Sequence, residues 1–162
     1  MNDLKDVYLD QLQDLCSANR QAKEVTAELA KAAKSEDLRR ALERGVSGIE
    51  DGCGNLKAMI TAHGKDPEGA HCKGMEGLVR EAHAHALNKE FSSNTVRDAV
   101  IVTQYQRMAH YAIAGYGCAA SFALQLGLAD EATTLQKMLE SAYSGDETMT
   151  RIATTKVNER AA

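Results

Sequence analysis

The sequence has no tryptophan, a single proline (Pro67) and only 4% aromatic residues. With so few aromatic and β-branched runs it offers little from which strands are built. No apolar stretch approaches the roughly 20 residues that a bilayer span requires, so no membrane partner is expected. There is no basic block: 19 Lys and Arg stand against 23 Asp and Glu, a net charge of −4, and a nucleic-acid partner is not expected either. The four cysteines, Cys16, Cys53, Cys72 and Cys118, form no C-x-x-C pair, which argues against a zinc site or a dithiol redox motif. The segment Met1–Asp6 lacks the apolar centre of a secretory signal. Together with three of the four cysteines in apolar helical stretches, where buried free thiols are common, this leads to the expectation of a reducing, cytoplasmic setting.

What is present is helical. Of 162 residues, 44% are apolar and 26% charged, enough for one domain, residues 1–162, with a core of Ala, Leu, Val and Met. Leu4, Val7, Tyr8, Leu12, Leu15 and Cys16, then Ala22, Val25, Leu29 and Ala32, recur at three- and four-residue steps, one face of a long helix. Ser35-Glu36-Asp37 supplies a cap and an acidic first turn for a second helix, which runs to about Ala62 and stops at Gly64. The segment around Asp66-Pro67-Glu68-Gly69 is a loop, followed by a shorter helix from about Met75 to Leu87. Ser92–Asn94 caps a third long helix, ended by Gly127, and Asp130-Glu131 opens a fourth. Two long helices, a long connection and two more give an all-α, ferritin-like up-down four-helix bundle whose crossover contains a short extra helix.

The second long helix carries Gly45, Gly48, Gly52 and Gly54. Each interior glycine costs roughly 1 kcal/mol relative to alanine, so four in one helix call for a compensating reason. Gly45, Gly48 and Gly52 share a face at i, i+3 and i+7. Three explanations are open: close packing against a bulky neighbour such as Tyr105 or Tyr143, a slot for a small ligand, or a locally broken helix.

Several strings resemble a family of bacterial ferritin-like stress proteins typified by YciE and YciF. They are Leu15-Cys16-Ser17-Ala18-Asn19-Arg20-Gln21, Cys72-Lys73-Gly74-Met75-Glu76-Gly77-Leu78, Val96-Arg97-Asp98-Ala99, His110-Tyr111-Ala112-Ile113-Ala114-Gly115-Tyr116-Gly117 and Gln125-Leu126-Gly127. The resemblance extends from Lys5 to Ala153 and implies a homodimeric four-helix bundle with a carboxylate-rich di-iron centre. It also implies where the ligands of that centre would stand. The family pattern has Glu at Asn19, Glu at Gly48, Gln or His at Gly52, two Glu at Ala109 and Ala112, and Glu at Ala142. Each residue here removes an oxygen or nitrogen ligand, so no di-iron cofactor is expected. Of the polar residues near that level, Asn19, Glu50, His110 and Asp146, the last three are read as surface groups or as ligands of a lone metal.

Replacing Glu by Ala or Gly also removes volume, so the bundle must collapse, hold water or hold a ligand. Tyr105, Met108, Tyr143 and Met149 are candidates to refill the space. Other signals are weak. Gly115-Tyr116-Gly117-Cys118-Ala119-Ala120 has the letters of a dinucleotide fingerprint but lies mid-helix, where no phosphate cradle forms, so its glycines are expected at a close helix contact. His83 and His85 diverge on their helix and make poor co-ligands, while His63 and His71 flank a loop and read as surface residues. The expected function is a non-catalytic, metal-free relative of these proteins, linked to stress by family analogy. The alternatives are small-molecule binding in the glycine-lined core and a residual ferroxidase-like activity.

Overall fold

In a computed structural model that describes residues 1–162, the expected elements appear with nearly the expected bounds. Helix α1 spans Leu4–Ala32, with Asp3 as its cap, and α2 spans Glu36–Ala62, capped by Ser35. Helix α3, Lys73–Ala82, continues through a π-helical turn, His83–Leu87. It starts two residues before the expected Met75 because the Cys72 thiol acts as its cap, accepting from the Met75 amide. Helix α4 runs Asn94–Gln125 behind Ser93, and α5 runs Ala129–Ile152, passing through a second π-helical turn, Ala153–Val157, into α6, Asn158–Ala161. Gly64 and Gly127 have φ of 69° and 73°, the left-handed conformation that lets a helix end without a side-chain clash.

Three residues link α1 to α2 and three link α4 to α5, so each pair is antiparallel. The buried Asp98 carboxylate on α4 accepts from the backbone amides of Lys34 (2.9 Å) and Ser35 (2.7 Å), which fixes the first of these links. Around the bundle the order is α1, α2, α5, α4. The segment between α2 and α4 climbs the length of the bundle, with α3 lying against α1 and α4, so α2 and α4 run in the same direction.

The interior is two apolar cores instead of one. The first gathers Leu29, Leu38, Leu42, Ile101, Met149 and Ile152 near the α1–α2 link. The second gathers Tyr8, Leu12, Leu15, Leu56, Ile60 and Leu135 at the opposite end. Helices α1 and α2, like α4 and α5, pack along most of their length, whereas α2 and α5 meet less extensively. That seam is where small residues of α2 face small residues of α5.

Helix α2 is unbroken through its four glycines. A Cβ at Gly45 would stand 2.9 Å from the Tyr105 hydroxyl, so the expected close packing against Tyr105 holds at this position. Tyr143 does not take part: it is 55% exposed and fills none of the interior, because its place on α5 turns it to solvent. The mid-helix glycine Gly115 sits against Leu15, whose Cδ2 would lie 2.5 Å from an added Cβ, so α1 and α4 approach closely there.

Candidate functional site

Between the two cores lies a cavity of about 640 Å³. All six positions singled out in the sequence, Asn19, Gly48, Gly52, Ala109, Ala112 and Ala142, line it. Its α1, α3 and α4 walls are buried or half-buried, and Met75 of α3 stops it on the α1–α4 side. Every exposed lining residue belongs to α2 or α5, among them Gly48, Asp51, Asn55, Lys137 and Ser141, so the mouth opens between those two helices. Gly48 shapes this mouth. The nearest atom to a Cβ built there is the Ser141 hydroxyl, at 3.9 Å.

One polar pair crosses the inner wall. Asn19 Nδ2 donates to the Tyr116 hydroxyl at 2.7 Å, and that hydroxyl donates to Asn19 Oδ1 at 2.9 Å. Burial pushes the Tyr116 pKa up to about 12, while the bond from Asn19 works in the opposite direction. Gly52 makes room for this pair: an added Cβ would stand 3.0 Å from Asn19 Nδ2. The rest of the lining is soft and apolar. Met75, Met108, Met138 and Met149, four of the six methionines, contribute to it.

The donor set does not fit a di-iron centre. The lining includes no Glu, His or Cys, and its one carboxylate, Asp51, is exposed at the mouth. Hard iron ions need several anionic oxygen ligands, and a thioether and alanine wall cannot balance their charge. Nowhere in the chain do three His, Cys, Asp or Glu side chains converge to hold a metal ion. Glu50 lies outside the cavity, in a surface ion pair with Lys23. His110, also outside, is exposed and lies 3.2 Å from Asp146, whose other oxygen accepts from Gln106 at 3.0 Å. These two groups pair with each other along the α4–α5 surface and leave no ligand set for a lone metal.

The remaining histidines find carboxylates. His71 lies 2.9 Å from Glu76, while the neighbouring Cys72 thiol turns inward and lies 3.0 Å from the Tyr111 hydroxyl. His83 faces Glu28 and His85 faces Glu81, as their divergence on the helix requires. His63 departs from expectation. Its side chain is only 13% exposed, lies 3.0 Å from Glu131 on α5, and meets the Tyr8 ring edge-on. Tyr8 donates to the same carboxylate at 2.5 Å, and its pKa is raised by burial and by this bond.

Comparison with known proteins agrees with this architecture. The family model described as domain of unknown function DUF892 matches residues 3–162. The chain belongs to the DUF892 family. It is 31% identical over 162 residues to protein YciF of Escherichia coli K12, covering 99% of this chain and 96% of that protein. The crystal structure of the E. coli stress protein YciF superposes with a TM-score of 0.89 at 30% identity, over 98% of this chain and 99% of the other. YcfI from Rhodopseudomonas palustris superposes with a TM-score of 0.86 at 26% identity, over 93% and 94% of the two chains.

Sequence reasoning missed Thr26, Met75 and Met138 as parts of the cavity in this DUF892 member. A signal for Thr26 was present, since Asn19, Ala22 and Thr26 repeat at i, i+3 and i+7 on one face of α1. Met75 and Met138 come from elements whose packing no local pattern reveals.

Proposed function

We propose that this protein is a non-catalytic member of its family that lodges a small, mainly apolar molecule between its two cores, where relatives would hold a di-iron centre. One observation carries this: a cavity of about 640 Å³, lined by all six positions at which the family pattern has polar ligands, and open between α2 and α5. The volume lies within the roughly 300–1,000 Å³ typical of small-molecule sites. The lining supports the same choice, since alanine, glycine and methionine suit an apolar body and thioethers adapt their shape to it. A stress association is proposed on the strength of the E. coli relative, which is named a stress protein. We read the protein as one domain, a homodimer and a resident of the cytoplasm. The buried, unpaired Cys16, Cys53 and Cys72 are compatible with that compartment.

The test is a fluorescence titration with naphthalene on the wild type and on a Gly48→Leu/Ala142→Leu variant, alongside metal analysis after incubation with ferrous iron. Saturable binding that the variant loses, with far less than one iron per chain, is the expected outcome. Two irons per chain, or undiminished binding by the variant, contradicts the proposal.

A further inference from the structure

The cavity has a definable chemistry at its inner end. Thr26 is 0% exposed and lines the cavity, and its hydroxyl oxygen has no hydrogen-bond partner in the protein. It sits seven residues along α1 from Asn19, or about 10 Å at 1.5 Å per residue. The two polar positions on this wall are therefore in different states. The Asn19 side chain is engaged with Tyr116, whereas Thr26 offers an unused donor and acceptor. A buried polar group without a partner is costly, and natural interiors rarely leave one without a reason.

A second hydroxyl borders the same space. Tyr105 places its oxygen between Gly45 and Gly145, 2.9 Å and 3.4 Å from where their Cβ atoms would be, and it too lines the cavity. No charged side chain lines the cavity at this depth, and the one carboxylate near Tyr105, Asp146, lies outside it against His110 and Gln106. Arg44, Asp51 and Lys137 are all exposed at the rim. An anion drawn inside would lose its hydration with no basic side chain to replace it, and the Asp146 carboxylate is already engaged by His110 and Gln106, so the buried part of a ligand is best neutral.

We infer that the Thr26 hydroxyl, shielded from the open cavity at 0% exposure, turns about χ1 to meet a hydroxyl or carbonyl group of a neutral, otherwise apolar ligand, which enters between α2 and α5 with this group leading. This rests on the proposed function and adds the polarity and orientation of what is bound.

Three probes with one common ring system separate the possibilities: naphthalene, 2-naphthol and 2-naphthoate. Each is titrated into wild type, Thr26→Val, which keeps the side-chain shape, and Thr26→Ser, which keeps the hydroxyl. The quantity read is the ratio of the naphthol to the naphthalene dissociation constant, so that differences in the probes' own hydration cancel between proteins. Thr26→Val is expected to shift this ratio against naphthol by about three- to tenfold, the range of one neutral hydrogen bond, with naphthalene affinity within about twofold of wild type. Thr26→Ser is expected to keep the wild-type ratio, and 2-naphthoate to bind at least about tenfold more weakly than 2-naphthol. An unchanged ratio in Thr26→Val, or naphthoate binding as tightly as naphthol, overturns the inference while binding itself stands. Wild type that binds none of the three overturns the proposed function together with it.

Discussion

Asn19 of α1 and Tyr116 of α4 satisfy each other across the bundle by two hydrogen bonds, 2.7 Å and 2.9 Å long, in the gap between the two apolar cores. The pair is self-contained, so removing one partner leaves the other buried without its bond. Tyr116→Phe should lower stability by about 1–3 kcal/mol, and adding Asn19→Leu to it should cost less than the sum of the two single changes. Urea unfolding of the four proteins of this cycle measures the coupling. Strictly additive values would show that the pair is not formed.

At the far end of the bundle, Glu131 joins three helices by accepting from Tyr8 of α1 while lying 3.0 Å from His63 at the end of α2. Glu131→Ala leaves the fully buried Tyr8 hydroxyl only the weak Met59 sulfur acceptor, at 3.9 Å, and should destabilise the protein by about 1–3 kcal/mol. Mutating Glu50, whose ion pair with Lys23 lies on the surface, should change stability by less than about 1 kcal/mol. Denaturant midpoints of the two alanine variants compare them directly.

Two glycines should respond to alanine in opposite directions. Nothing lies within 4 Å of a Cβ at Gly54, so Gly54→Ala should gain up to about 1 kcal/mol from helix propensity alone. At Gly115 the added methyl meets the fully buried Leu15, and Gly115→Ala should cost about 1–2 kcal/mol as overpacking outweighs propensity. Thermal midpoints that move the same way for both would contradict the packing described for α1 and α4.

Alkaline pH should unfold the protein through groups whose pKa is raised by burial. The thiols of Cys16, Cys53 and Cys72 lie above the ordinary 9.0, and the phenols of Tyr8, Tyr111 and Tyr116 above the ordinary 10.0. In the unfolded chain these groups lose protons first, so the unfolded state binds fewer protons and stability falls as pH rises. Stability from these groups is intact at pH 7, begins to decline above about pH 9, and declines more steeply above about pH 10. Unfolding midpoints from pH 7 to 11 test the sign, and Tyr116→Phe should flatten the upper part of the curve.

The helix ends were legible in the sequence because capping is local chemistry. Ser35, Ser93, Gly64 and Gly127 act within a few residues of themselves. The glycine face of α2 was legible as an anomaly, but its meaning was not, because Gly45 meets Tyr105 while Gly48 opens the cavity, and only packing separates the two. The join of Tyr8, His63 and Glu131 escaped notice since its members lie 55 to 123 residues apart and each looks ordinary in its own segment. The same is true of Asp98, whose carboxylate holds the α1–α2 link 63 residues away. Tyr143 was misjudged because a large aromatic ring in an apolar helix suggests burial, and rotation of α5 put it outside.

The most direct measurement of whether the gap between the cores accepts a small molecule uses the methionines. In protein labelled with ¹³C at the methionine methyls and titrated with 2-naphthol, the signals of Met75, Met108, Met138 and Met149, which line the cavity, should shift together and saturate. Met1 and Met59, which do not, should stay in place. Six stationary signals, or shifts confined to Met1 and Met59, would contradict the account.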